Sequence, residues 1–470
     1  MKRIYKNIAL AALMLAPAVT SAQNTYSGYF LDNYLYRYEM NPALLNMDDH
    51  GFVGFPVLGN LNVGMQGNLH VSDILYPSSK YDPSNPNKTL LFSNPNIPAK
   101  DVLKHLSNTN ILGVDTKIDL ISVGFKAFGG QNAVTLSAVA NAQVGAPKSL
   151  FSLIKEGVSN KTYDIKNFRL NATGYAQLQL NHQRDLSEYL PGLKAGAAFK
   201  MLFGLANIDA YFNRAHLELG TDGWTGLTNA DIYMSMKGAK YTTSYNEDAH
   251  REYVDGLDVN SFGITGFGIG FDLGATYKWK DFNFSLALLD LGFISWSDVQ
   301  YASTEGDRTV NTDAYTFQIG DKKDENGNKL ENDTWDDFKN NISDLYQLSY
   351  TKEGGSRTRG LRATLNWGVD YEFPYYRNLH FGMVNTTTFN HLFTATEFRF
   401  SANVQPVKCF SASANLAAGT FGAGFGWLLN LNLKGFSFFL GMDHTLGKLA
   451  KQGIPLNSNA EVNLGINFPF

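Results

Sequence analysis

Cysteine is almost missing from the 470 residues: Cys409 stands alone, so one chain can build neither a disulfide framework nor a thiolate metal site. Charge is sparse too, 17% of the residues, with 39 basic against 43 acidic side chains and a net charge of −4. No basic surface asks for nucleic acid. Beyond the N-terminal leader there is no apolar run of about 18 residues or more, which excludes a polytopic helical membrane protein but not a membrane barrel. What is plentiful is aromatic and small: 33 Phe, 24 Tyr and 6 Trp beside 44 Gly, a composition of strands and turns.

Lys2, Arg3 and Lys6 precede an apolar stretch from Ile8 to Val19 that closes on Thr20, Ser21 and Ala22. Residues 1–22 have the make-up of a secretory signal peptide cut before Gln23. The stretch is too short to span a bilayer and no cysteine follows it, so neither an anchor nor a lipoprotein is expected.

The strongest pattern in the remaining chain is alternation of apolar and polar side chains, the period that sends successive residues to opposite faces of a strand. From Phe168 to Asn181 one face reads Phe168, Leu170, Ala172, Gly174, Ala176, Leu178, Leu180; the other reads Arg169, Asn171, Thr173, Tyr175, Gln177, Gln179, Asn181. Leu361, Ala363, Leu365, Trp367, Val369, Tyr371 and Phe373 likewise alternate with Arg362, Thr364, Asn366, Gly368, Asp370 and Glu372. An exported β-sandwich would also alternate. Three features favour a transmembrane antiparallel β-barrel. Aromatics stand near segment ends (Trp279, Trp367, Tyr371, Phe373, Trp427), connections alternate between very short and very long, and the chain closes on an alternating strand ending in Phe470.

Parity counted back from that last strand predicts fourteen strands, twelve or sixteen being the alternatives, in an all-β barrel over residues 60–470 of an outer membrane, with both termini periplasmic. The long external loops are 72–116, 146–167, 207–265 and 296–360. Short helices are expected at Asp101 to Leu106 and Pro147 to Lys155, an extra hairpin in the third loop, and in the fourth a charged run, Asp321 to Glu331, then Trp335, Phe338, Ile342 and Leu345 at helical spacing. A barrel this wide cannot fill its interior with its own side chains. Residues 23–59, with the turn Asn41-Pro42-Ala43, are the natural plug.

Asn41-Pro42-Ala43, the strand parity and Asp272-Leu273-Gly274-Ala275 resemble the long-chain fatty-acid transporter (FadL-like) barrels and their PorV-like relatives in Bacteroidota. The stretches Asp119 to Lys126 and Leu289 to Trp296 resemble an uncharacterised Bacteroidota family with the same presumed fold. The resemblance implies a lumenal plug with Asn41, Pro42 and Ala43 in it, and carries over no ligand.

Chemistry is thin. No G-x-S-x-G or H-E-x-x-H occurs among the nine scattered histidines, so no enzyme is expected. The acids Asp321, Asp324 and Glu325 lack calcium-loop spacing, and no metal or cofactor is expected. The glycines of Gly263 to Gly274 precede a strand, not the helix a phosphate loop needs. Charges on lumenal faces remain: Lys194, Lys200, Asp272, Lys278, Arg362, Asp370, Glu372, Glu397 and Arg399. Buried charges need partners, so they predict either salt-bridged networks that hold the plug or a polar route for a solute or lipid headgroup. Two functions are carried forward: passage of a hydrophobic or amphiphilic small molecule in contact with outer-membrane lipid, or a PorV-like, non-transporting partner of a surface or secretion-complex protein.

Overall fold

The computed structural model describes residues 25–47, 51–156, 160–220, 223–246, 250–313, 347–353, 355–444 and 459–470. The expected signal peptide, the charged run from Asp321 and the helical spacing from Trp335 lie outside them. Fourteen antiparallel strands close into one barrel. In chain order they are β1 (Leu61–Gly67), β2 (Thr109–Ala127), β3 (Gly130–Pro147), β4 (Phe168–Asp185), β5 (Leu193–Leu219), β6 (Gly266–Trp279), β7 (Phe282–Trp296), β8 (Thr364–Glu372), β9 (Leu379–Phe389), β10 (Thr394–Val407), β11 (Phe410–Gly419), β12 (Gly422–Leu433), β13 (Phe436–Asp443) and β14 (Ala460–Pro469). Each pairs with its neighbour in sequence, and β14 closes on β1 through Leu464 opposite Leu61. Closure leaves no unpaired edge, the condition for a sheet in lipid.

Alternation sorts the wall as the sequence predicts. Asn171, Gln177, Gln179 and Asn181 point inward and are at most 3% exposed. Outward, Phe267, Ile269, Phe271 and Leu273 on β6 and Phe284, Leu286 and Leu288 on β7 are all exposed, an apolar belt that suits lipid and not water. No helix among the described residues is long and apolar enough to cross a membrane.

At one end the connections are tight. Phe128 and Gly129 both take positive φ (58° and 73°) between β2 and β3, the backbone a two-residue hairpin needs to match strand twist. The other end carries long connections. There, β5 runs on beyond the wall to pair with Gly223–Met236, which also pairs with Gln300–Ser303 and Arg308–Asp313, and a separate hairpin joins Ala239–Asn246 to Arg251–Val259. The expected hairpin is thus part of a larger sheeted platform. The helical turns are Ala99–Leu103 and Lys148–Glu156, with Pro147 ending β3.

Four expectations need correction. First, residues 52–54 are wall rather than plug: Phe52 pairs with both Pro469 and Gly124. Second, the loop expected over 72–116 ends at β2, which begins at Thr109, and the one expected over 207–265 starts inside β5. Third, Trp427 lies in the middle of β12, away from any interface girdle. Fourth, Leu361 and Arg362 both line the lumen, because the wall is interrupted between Arg357–Gly360 and β8 and the alternation breaks there.

Candidate functional site

The interior is occupied by residues 25–47, folded into three short 3-10 turns, Tyr26–Gly28, Leu35–Glu39 and Pro42–Leu44. A segment this short has no core of its own; it is stable only because the barrel buries it. The predicted Asn41-Pro42-Ala43 turn lies inside it. The Asn41 side chain accepts from Ala43 N–H at 3.0 Å and caps the turn, with Pro42 at its first position. Its Nδ2 reaches the carbonyls of Ala275 (3.4 Å) and Leu286 (3.3 Å) on β6 and β7. A Cβ at Gly274 would come within 2.0 Å of Asn41 Oδ1, so the wall is smooth where the turn presses on it.

Tyrosines fasten the plug radially. The hydroxyl of Tyr26 donates to Asn366 (3.1 Å), Tyr29 to Ser285 (3.2 Å), Tyr34 to Asn463 (3.3 Å) and Tyr36 to Asn467 (2.7 Å), while Tyr38 shares a hydrogen bond with Thr135 (2.8 Å). These five partners lie on β7, β8, β14 and β3, so the plug is tied around most of the circumference. Each ring buries a large apolar area and each hydroxyl is satisfied, which is what a buried tyrosine requires.

Eight of the nine predicted lumenal charges fall into local pairs. Lys200 binds Asp272 (2.8 Å) and Asp290 (2.6 Å), Lys278 binds Glu372 (3.0 Å), Arg399 binds Glu397 (2.5 Å), Arg362 binds Asp115 (2.5 Å), and Asp370 binds His380 (2.8 Å). Lys194 and Lys278 stand exposed near the tight-turn end of the lumen. The polar ties to the plug come from residues outside that set: Lys117 to Glu39, Asp443 to Ser27 and to Tyr26 N–H (2.9 Å), and Glu461 to Thr25 Oγ1 (3.3 Å). Lys117 and Glu461 sit on alternating polar rows that sequence reading can find, whereas Asp443 shares its inward row with Phe439 and Gly441. Their partners lie far away in the chain, and no local pattern names them.

Glu39 is fully enclosed. Burial, and then repulsion from Asp119, push its carboxyl up from 4.5 to about 8 against the pull of Lys117. Asp290 carries a left-handed backbone (φ 57°) within β7, where its N–H donates to Asp272 Oδ1 at 2.7 Å. That conformation is unfavourable for a residue with a Cβ, and the Lys200–Asp272 pair holds it.

Above the plug, toward the long connections, the lumen opens into a recess. Tyr26 and Glu39 form its floor. Its walls mix polar side chains, Asn141, Thr173, Gln177, Gln179, Lys200 and Arg362, with Val139, Tyr175, Leu289 and Leu361, interleaved on the same strands. Over it, Arg357 and Arg359 share the carboxylate of Asp209 (2.6 and 2.9 Å), and Arg357 lies 4.0 Å from the Tyr233 ring centroid. The arrangement can hold a molecule that carries both polar and apolar groups.

A family model described as a family of unknown function (DUF5723) matches residues 42–443. No curated protein matches the chain. Among solved structures the chain is similar to the Pseudomonas putida toluene transporter TodX, at 8% identity over 96% of this chain and 98% of that one with a TM-score of 0.43. A Pseudomonas aeruginosa FadL homologue is similar at 10% identity over 96% and 98%, TM-score 0.39. The translocator domain of the autotransporter NalP from Neisseria meningitidis gives 8% identity over 100% and 99%, TM-score 0.32.

Proposed function

The chain belongs to DUF5723, a family of unknown function, and for this member we propose that the barrel takes a small amphiphilic molecule into its lumen from the outer face of an outer membrane, as a conduit rather than an enzyme. On this reading the short turns face the periplasm, as in barrels of this kind, with Phe470 on that side and the long connections outside. Thr25, the first described residue, lies within the lumen beside Glu461, near the outer end of β14.

The observation that carries the reading is the recess above the plug, whose lining mixes charged and amide side chains with Val139, Tyr175, Leu289 and Leu361. A purely hydrophobic passenger would strip water from the polar groups and return nothing for it. An amphiphile can meet both kinds of group. Octyl glucoside, radiolabelled and dialysed against the barrel in lipid nanodiscs, should be retained. Thr173→Trp, which fills the recess, should abolish the retention, and equal retention by both proteins would refute the reading.

A second reading, a PorV-like partner in a surface or secretion complex, draws on the platform beyond the wall, where the hairpin of Ala239–Asn246 and Arg251–Val259 stands. On that reading, removing residues 239–259 would release a stoichiometric companion protein from the purified barrel. An unchanged protein composition would count against it.

A further inference from the structure

Every charge that lines the recess above the plug is already neutralised. Among the described residues of its lining the cations are Lys117, Lys200 and Arg362, and the acids are Glu39 and Asp290. Lys117 is held by Glu39, with Asp119 at 3.9 Å. Lys200 is held by Asp272 (2.8 Å) and Asp290 (2.6 Å), and Arg362 by Asp115 (2.5 Å). Burial, and then the guanidinium of Arg359, keep the His391 imidazole below its usual value and so uncharged at neutral pH. The neighbourhood's spare positive charge lies higher, where Arg357 and Arg359 share Asp209 and Arg359 also bonds the Tyr211 hydroxyl at 2.9 Å. A carboxylate or an ammonium entering the recess would therefore find no free counter-charge, and a buried charge without one is costly.

What the recess leaves unmatched is neutral. Asn141 lines it and is 7% exposed, yet its side-chain amide bonds to no described residue. Across the β3–β4 pair it stands opposite Thr173. Further along the same inward row Gln177 donates to Gln179 Oε1 at 3.0 Å, and Gln179 Nε2, buried, has no acceptor. Between the two groups of amides lie Val139 and the Tyr175 ring, opposite each other on the same strands. An amide offers donors and acceptors without charge. Adjacent hydroxyls on a carbon ring answer it in kind, each able to donate and accept, while the C–H face of the ring covers an apolar band.

Building on the amphiphile reading, we propose that the headgroup held in the recess is neutral and hydroxylated, a sugar or similar polyol, read by the amides of Asn141 and Gln179 on either side of Val139 and Tyr175. Carboxylate, sulfate and ammonium heads are rejected.

The test compares three radiolabelled probes that share an eight-carbon chain and differ in head: octyl glucoside, octanoate and octyltrimethylammonium. Each is dialysed against the wild-type barrel in lipid nanodiscs, and retention by barrel-free nanodiscs is subtracted. Octyl glucoside should bind at least about tenfold more tightly than either ion, because only the ions lose hydration for no counter-charge. Octanoate or the ammonium held as tightly as the glucoside would overturn the neutral headgroup and leave the amphiphile reading standing; retention of none of the three would overturn both. Asn141→Leu is close in volume and breaks no bond to a described residue. It should weaken glucoside binding by about three- to tenfold, the worth of one neutral hydrogen bond, and leave octanoate unchanged. Unaltered glucoside binding would overturn the role of Asn141. The three-probe comparison is made on the wild type, so it decides the matter should the variant fail to fold.

Discussion

Lys200→Met isolates the energetics of the lumenal wall. Lys200 is 5% exposed and Asp272 not at all, and the lysine lies 2.8 Å from Asp272 and 2.6 Å from Asp290. Methionine keeps the length and most of the volume of the lysine stem, so little packing is lost. What is lost is the one cation between two carboxylates, and stripping one partner from a buried ion pair costs about 3–5 kcal/mol. At 1.4 kcal/mol for each factor of ten, the folding equilibrium should fall by roughly two to three and a half decades. Asp290 adds a further consequence: its left-handed backbone is held by the same pair, so the strand should relax around it. The assay is reversible denaturant unfolding in detergent micelles, with the heat-dependent mobility of the barrel on gels to confirm closure. The double variant Lys200→Met with Asp272→Asn removes both the cation and the buried charge, and should recover most of the loss. A single variant within about 1 kcal/mol of wild type, or a double variant no better than the single, would refute the account of the triad.

Other outcomes follow from the plug. Tyr36→Phe removes the hydroxyl bonded to Asn467 and Ser122, each at 2.7 Å, and leaves buried polar groups unpaired; a loss of about 1–3 kcal/mol in the same unfolding assay is expected, and a neutral change would contradict it. Deleting residues 25–47 should leave a barrel that still forms but conducts ions in a planar bilayer, since fourteen strands enclose more space than the wall side chains fill; a deleted barrel as silent as wild type would mean the plug is not the seal. Glu39 sets a pH dependence. Its carboxyl is at about 8 in the seated plug against 4.5 outside it, so the protonated form favours the seated state; seating is firmest below the lower value and weakens as pH rises through the upper one. The thermal midpoint should therefore fall between about pH 5 and pH 9 and flatten in Glu39→Gln, whereas a midpoint that rises over this range would reverse the assignment.

Much of this was legible in the sequence because one rule, side chains on alternate faces, runs through the whole wall. Phe168 to Asn181 keeps it without a break, and its polar row is the row that faces inward. The rule fails where the wall breaks register. The pairing of β4 with β5 shifts at Gly174 and Tyr175, the inward row on β5 moves from Lys200 and Leu202 to Asn207 and Asp209, and a strand read as ending at 206 continues to Leu219. A shift between Asp119 and Ile121 in β2 hides its start at Thr109 in the same way. The site divides along the same line. Asn41-Pro42-Ala43 announces itself as a turn, and a wide barrel demands a plug. That Asp443 would meet Tyr26, or Glu461 meet Thr25, depends on closure between the two ends of the chain, which no local spacing encodes.

The central claim, a plugged outer-membrane barrel that holds an amphiphile above its plug, is tested most directly by native mass spectrometry of the barrel extracted in mild detergent from its own outer membrane. The account predicts a retained small molecule of amphiphile size that is absent from Thr173→Trp. A barrel that emerges empty, with a stoichiometric protein companion in place of any small molecule, would contradict it.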